Sequence, residues 1–172
     1  MTKAVEFDNV SIVFGDKPEK ALPLMDEGQS RAEIEAATGQ VLGVHDCSLT
    51  VENGEILVLM GLSGSGKSTL LRAVNGLNPM VRGTVRVHAE GWSCDVHESN
   101  AAELRRVRRE GVSMVFQQFG LLPWRTVRDN VALGLELSNV PKGERLERAE
   151  RQLKLVGLSD WADRKVGELS GG

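Results

Sequence analysis

The sequence predicts an α/β core with an antiparallel β edge, a helical insertion and a helical subdomain. Three observations predict it. A glycine-rich run, Gly61-Leu62-Ser63-Gly64-Ser65-Gly66-Lys67-Ser68-Thr69, lies between a short apolar segment and a helix start. Strand-like and helix-like patterns alternate up to residue 117. Beyond that point only helical patterns follow. The division gives residues 1–117 as the core, with the insertion at 16–43, and residues 118–172 as the subdomain.

Taken in order, Val5 to Phe14 alternates loosely and predicts an edge strand stopped by Gly15. Lys20 to Met25 predicts a short apolar turn or helix. Ser30-Arg31-Ala32-Glu33 has the S-x-x-E pattern of a capping box, opening a helix that Gly39 closes. Val44 to Val51 and Glu55 to Met60 return to strand, with Glu52-Asn53-Gly54 as a hairpin-like turn. The second of these is a short apolar run of the kind that forms a buried parallel strand. Ser68 to Asn75 predicts a helix stopped by Gly76.

Thr84 to Ala89 is a further strand, Ala101 to Arg109 a helix, and Val112 to Phe116 a second buried strand. Arg105, Arg106, Arg108 and Arg109 crowd that helix; a solvated helix face accounts for them more simply than a nucleic-acid patch. Thr126 caps a helix running to about Leu137. Glu144 to Val156 is amphipathic, with Leu146, Ala149, Leu153 and Val156 on one side. Glu144–Arg148, Glu147–Arg151 and Glu150–Lys154 stand as i,i+4 pairs in the favourable order.

The glycine-rich run satisfies G-x-x-x-x-G-K-[ST] at every specified position, in the strand–loop–helix setting that this motif requires. A triphosphate must lose part of its hydration without losing partners for its charge. Gly61, Gly64 and Gly66 let successive backbone N–H groups turn inward, and the helix start adds its positive end. Lys67 supplies a point charge for the β- and γ-phosphate oxygens. The Ser68 hydroxyl is a ligand for the Mg²⁺ that bridges them. Residues Gly61, Leu62, Ser63, Gly64, Ser65, Gly66, Lys67, Ser68 and Thr69 are therefore expected to hold a nucleoside triphosphate, with Mg as its metal, and the family resemblance given below implies that it is ATP.

Bulk composition narrows the rest. A 172-residue chain with 41% hydrophobic and 26% charged residues is long enough and apolar enough for a folded core. Its net charge of −3 offers no electrostatic footprint for nucleic acid or anionic lipid. No apolar stretch is long enough to cross a bilayer, and the polar start is no signal peptide. Cys47 and Cys94 lack metal spacing and fit a reducing compartment. His45, His88 and His97 are expected at solvent or turn positions.

Two later segments separate the phosphate-loop classes. Met114-Val115-Phe116-Gln117-Gln118 puts a glutamine at a strand end, and Leu169-Ser170-Gly171-Gly172 closes the chain. With the phosphate loop, and in this order, they resemble the Walker A motif, Q-loop and LSGG signature of the ATP-binding-cassette (ABC) ATPases, a P-loop NTPase family. Ile12-Val13-Phe14-Gly15, the insertion at 16–43, Leu42-Gly43-Val44-His45-Asp46 and Glu103-Leu104-Arg105-Arg106-Val107-Arg108-Arg109 look like the quaternary-amine importers. Those are the ATPase subunits of glycine betaine, proline and choline uptake systems.

The resemblance implies further roles. Phe14 would stack on adenine. Gln117, or Gln118 beside it, would sense Mg²⁺ and the attacking water and move with the membrane partner. Ser170, Gly171 and Gly172 would contact the γ-phosphate on a second copy of the subunit, making the active unit a homodimer. Leu121-Leu122-Pro123-Trp124 sits where the coupling helix of the permease docks. Transmembrane permease subunits are the implied partners, a periplasmic or surface solute-binding protein is an indirect one, and no nucleic acid is implied. The implied location is peripheral, on the cytoplasmic face of the membrane.

The family pattern continues past its signature into a Walker B strand, a D-loop and a switch histidine. The chain stops at Gly172, so the C-terminal part of that fold is absent from it and an excerpt of a longer protein is the expectation. Without the Walker B carboxylates, the 172-residue chain is expected to bind ATP and not to hydrolyse it. Two other readings stand beside the importer motor: a short non-hydrolysing nucleotide-binding or dimerisation module, and a non-transport ABC ATPase.

Overall fold

The computed structural model describes residues 2–118 and 120–168. The chain divides into two compact units, Met1–Met114 and Val115–Gly172.

The first unit is built on a four-stranded antiparallel sheet of order β2-β1-β3-β4, with β1 (Lys3–Phe14), β2 (Val41–Glu52), β3 (Arg82–Ala89) and β4 (Trp92–Asp95). Val5 faces Val51 on one side and Val87 on the other, and Phe7 faces Leu49 and Val85. The expected edge strand is therefore an interior one. Its burial pattern gives the physical reason: Val10, Ser11, Ile12 and Val13 are all buried in succession, which requires cover on both faces.

One face of β1 packs Phe7, Val10 and Ile12 against Val85 and Val87 of β3 and against Leu70, Ala73 and Val74 behind the glycine loop. The other presents Val13, with Leu42, to Ala21, Met25 and Ile34. Those three belong to the insertion, a 3-10 turn at Pro18–Ala21 followed by α1 (Leu22–Asp26) and α2 (Arg31–Thr38). Its capping box is present: Glu33 N–H donates to Ser30 Oγ at 3.4 Å, and Ser30 N–H to Glu33 Oε2 at 2.8 Å. Gly39 closes α2 in the left-handed conformation. A two-pronged ion pair, Arg82 to Asp26 at 2.6 and 3.0 Å, fastens the insertion to β3.

Two expected strands are not present. Residues 55–60 leave β2 through a turn in which Glu55 N–H donates to Glu52 O at 3.1 Å, and then run with no ladder partner among the described residues. Ile56 is 91% exposed and Met60 87%, so the apolar run is uncovered. Residues 112–116 behave alike, with Val115 96% exposed. An apolar run proposes a strand, but only a neighbouring backbone makes one, because each strand N–H and C=O must find its acceptor or donor across the ladder.

The arginine-rich helix is α4 (Ala101–Arg106), which widens into a π turn at Val107–Gly111 instead of continuing to Arg109 as a regular helix. Arg106 lies over the Trp92 ring at 4.6 Å and donates to Glu110 at 2.9 Å. Arg108 donates to Asn75 O at 2.8 Å. His88 is a correction to the solvent reading: it sits half-buried on β3 with Nε2 2.6 Å from Glu6 Oε2. β4 has no counterpart in the sequence reading; its four residues are too short a run to signal a strand.

The second unit packs α5 (Val127–Leu137) on α6 (Lys142–Leu155), burying Val127, Ala132, Ala149, Leu153 and Ala162. The α5 cap is as expected, with Asp129 N–H donating to Thr126 Oγ1 at 3.1 Å. On α6, Arg148 meets Glu144 at 3.5 Å, whereas Glu150 is drawn instead to Arg128 at 3.3 Å. Among the described residues, no helix is long and apolar enough to cross a membrane.

Candidate nucleotide-binding site

The glycine loop runs from Gly61 into α3 (Lys67–Ala73) and lies against the start of β2. Ser65 N–H donates to Leu62 O at 3.2 Å, closing the turn at its tip. Gly66, in the left-handed conformation that begins α3, is held so near β2 that a Cβ there would stand 2.5 Å from Gly43 O. Only glycine satisfies both the backbone angle and that approach.

Lys67 folds over the loop's own rim. Its Nζ donates to Gly61 O at 2.8 Å, Leu62 O at 2.7 Å and Ser65 Oγ at 3.1 Å. Among the described residues the ammonium is thereby fixed at the mouth of the loop by neutral acceptors, a position from which it can meet an incoming anion without first leaving a carboxylate. The Ser68 hydroxyl is exposed and makes no hydrogen bond among the described residues, so an oxygen of the kind Mg²⁺ takes is available one residue away. By their position, the first N–H groups of α3 have no intrahelical acceptor. Thr69 is half-buried, and its carbonyl accepts from Asn78 Nδ2 at 2.9 Å, which steadies the far side of α3. The donor set fits a Mg²⁺-bound polyphosphate.

Phe14 ends β1 at 39% exposure, with its ring edge over Gly43 beside the Thr69 methyl. The aromatic face and the phosphate loop are therefore neighbours, brought together by the β1–β2 pairing of Phe14 with Val41. A purine ring stacking there would lie within reach of phosphates in the loop.

Other expected site residues are not part of the first unit's described residues. Gln117 and Gln118 belong to the second unit and are exposed at a bend. Ser170, Gly171 and Gly172 lie outside the described residues. Trp124 is 69% exposed in the loop before α5. Two residues that the sequence did not single out join the site. Gly43 supplies the close approach for both Phe14 and Gly66. Arg31 donates to Gly64 O and to Gly43 O, each at 3.1 Å. Neither carries a local signal, because each acts on a segment distant in sequence.

The ABC transporter family model matches residues 44–172. The chain is 44% identical, over all of its length and 42% of the relative's, to the glycine betaine/proline betaine transport system ATP-binding protein ProV of Escherichia coli. It is 41% identical to the glycine betaine transport ATP-binding protein OpuAA of Bacillus subtilis, over 98% of this chain and 39% of that one. It thus spans about two-fifths of the length of these relatives. Among solved structures, it is similar to the dimeric post-hydrolysis state of the ATP-binding cassette MJ0796 bound to ADP and Pi. That match has a TM-score of 0.71 and 28% identity, covering 97% of this chain and 63% of that chain. The expected fold is borne out: the chain has the architecture of an ABC ATPase cassette, with an antiparallel β sheet and a helical unit. With three-quarters of its length inside the family match, the chain belongs to the ABC transporter family.

Proposed function

We propose that the chain is part of the ATP-binding subunit that energises an importer of quaternary amines such as choline, glycine betaine or proline. The observation that carries this is the loop itself: Lys67 held at its mouth by carbonyls and a hydroxyl, Ser68 open beside it, and Phe14 against Gly43 at one side. The glycine betaine transport roles of the two relatives support the solute class.

In this reading Gly61 to Thr69 hold the triphosphate of ATP, Phe14 stacks on its adenine, and Ser68 and Gln117 hold Mg²⁺. Mg²⁺ bound by these residues would supply charge neutralisation for the phosphates. A second copy of the subunit completes each site through Ser170, Gly171 and Gly172, a reading supported by the dimeric cassettes among the structural relatives. The Leu121–Trp124 loop is the docking point for transmembrane permease subunits, so the protein works at the cytoplasmic face of the membrane, and a solute-binding protein acts on it only indirectly. Residues 1–172 are proposed to bind ATP through this loop, and hydrolysis by the subunit needs an acidic side chain to polarise the attacking water.

Lys67→Ala tests the site. Losing one charge-assisted contact of about 1.5–3 kcal/mol weakens Mg–ATP binding by about 10- to 150-fold in a calorimetric titration. Unchanged affinity would show that the loop is not the nucleotide site.

A further inference from the structure

We propose that Arg31 is a positioning residue for the phosphate loop, through which the helical insertion sets the loop's conformation. The inference rests on the reading that this loop holds a polyphosphate. Its guanidinium spans two backbones at once, with Nη1 on Gly64 O and Nη2 on Gly43 O, both at 3.1 Å. One planar group with two fixed donors thus ties the tip of the loop to the strand beneath it.

Among the described residues, no other side chain hydrogen-bonds the Gly64 carbonyl. Gly64 is in the left-handed conformation, and a Cβ placed there would meet nothing within 4 Å. The peptide between Gly64 and Ser65 is planar, so drawing its carbonyl toward Arg31 turns its N–H to the opposite side. There Ser65 N–H meets Leu62 O at 3.2 Å. Arg31 and the Leu62–Ser65 turn therefore hold one peptide plane from both sides. That plane fixes how the next N–H groups face.

The anchor is itself rigid. Arg31 is the first residue of α2, directly after the Ser30–Glu33 capping box. Ile34 of the same helix is buried with Met25, Val13 and Leu42. The Arg82–Asp26 pair fastens α1 of the same insertion to β3. The fork is held in place before any ligand arrives, so the cost of ordering the loop is met within the fold rather than from nucleotide binding.

The test is a titration of the full-length protein with Mg²⁺ and a non-hydrolysable ATP analogue, comparing wild type, Arg31→Ala, Arg31→Lys and Lys67→Ala. Amide exchange of residues 61–66 and the thermal midpoint are followed without nucleotide. Arg31→Ala is expected to lose about 3- to 10-fold in affinity. Arg31→Lys, which keeps the charge and loses the fork, is expected to lose as much. Both should exchange faster at residues 61–66 with the thermal midpoint unmoved, which separates loop positioning from general stability.

Wild-type affinity in Arg31→Lys would show that charge alone acts and would overturn the proposal. So would wild-type affinity in Arg31→Ala alongside a weakened Lys67→Ala. If Lys67→Ala binds normally, the polyphosphate reading fails by itself; the tie then stands on exchange, and unchanged protection in Arg31→Ala overturns it.

Discussion

Phe14 and Gly43 are in direct contact: a Cβ on Gly43 would stand 2.8 Å from Phe14 Cε2, 3.2 Å from Thr69 Cγ2 and 3.3 Å from Ile12 O. The ring can swing outward, since it is half-exposed, but the Ile12 carbonyl is part of the sheet. Gly43→Ala should therefore displace Phe14 and cost about 1–2 kcal/mol of stability. If the ring stacks on adenine, Gly43→Ala and Phe14→Ala both weaken adenine nucleotides by about 2- to 10-fold. Binding of inorganic triphosphate should stay unchanged. Equal losses for both ligands, measured in parallel titrations, would place the ring's influence on the phosphate loop instead of on the base.

Asn130 organises the loop that carries Trp124. Leu122 N–H donates to Asn130 Oδ1 at 2.8 Å, while Asn130 Nδ2 donates to Leu122 O at 3.1 Å and Thr126 O at 2.9 Å. Asn130→Asp keeps the acceptor and loses both donors, so it should cost about 1–3 kcal/mol. Residues 121–126 should then exchange their amides faster, and Trp124 emission should shift. An unchanged exchange pattern would show that the loop holds its shape without this side chain.

Glu136 carries an acid-sensitive link in the second unit. Arg125 donates to both of its oxygens, at 2.9 and 3.2 Å, and Arg145 lies 3.5 Å away. The Arg125 hydrogen bonds, then the charges of Arg125 and Arg145, hold the Glu136 carboxyl below the usual carboxylate range. A carboxyl depressed in the folded state contributes stability above its unfolded value, about 4.3, and loses it as pH falls through the folded value. Glu136→Gln should lower the thermal midpoint at neutral pH, and the gap to wild type should close in acid. A gap that is constant from pH 7 to pH 3 would count against the ion pair as its source.

What could be read from the sequence was whatever the chain decides within a few residues. The Ser30–Glu33 capping box, the Thr126 cap on α5, the Gly39 helix stop and the glycine loop each depend on groups no more than nine positions apart, so their residue types announce them. The insertion and the helical second unit were legible for the same reason. The tertiary structure decided what depends on distant partners. It made β1 an interior strand by setting β2 and β3 on either side of it. It left residues 55–60 and 112–116 without ladders among the described residues, although both are as apolar as a buried strand. It placed His88 on Glu6, Phe14 on Gly43, and Arg31 across Gly43 and Gly64. In each case the energy comes from a backbone or side chain tens of residues away, and periodicity within a segment carries no record of which neighbour it will meet.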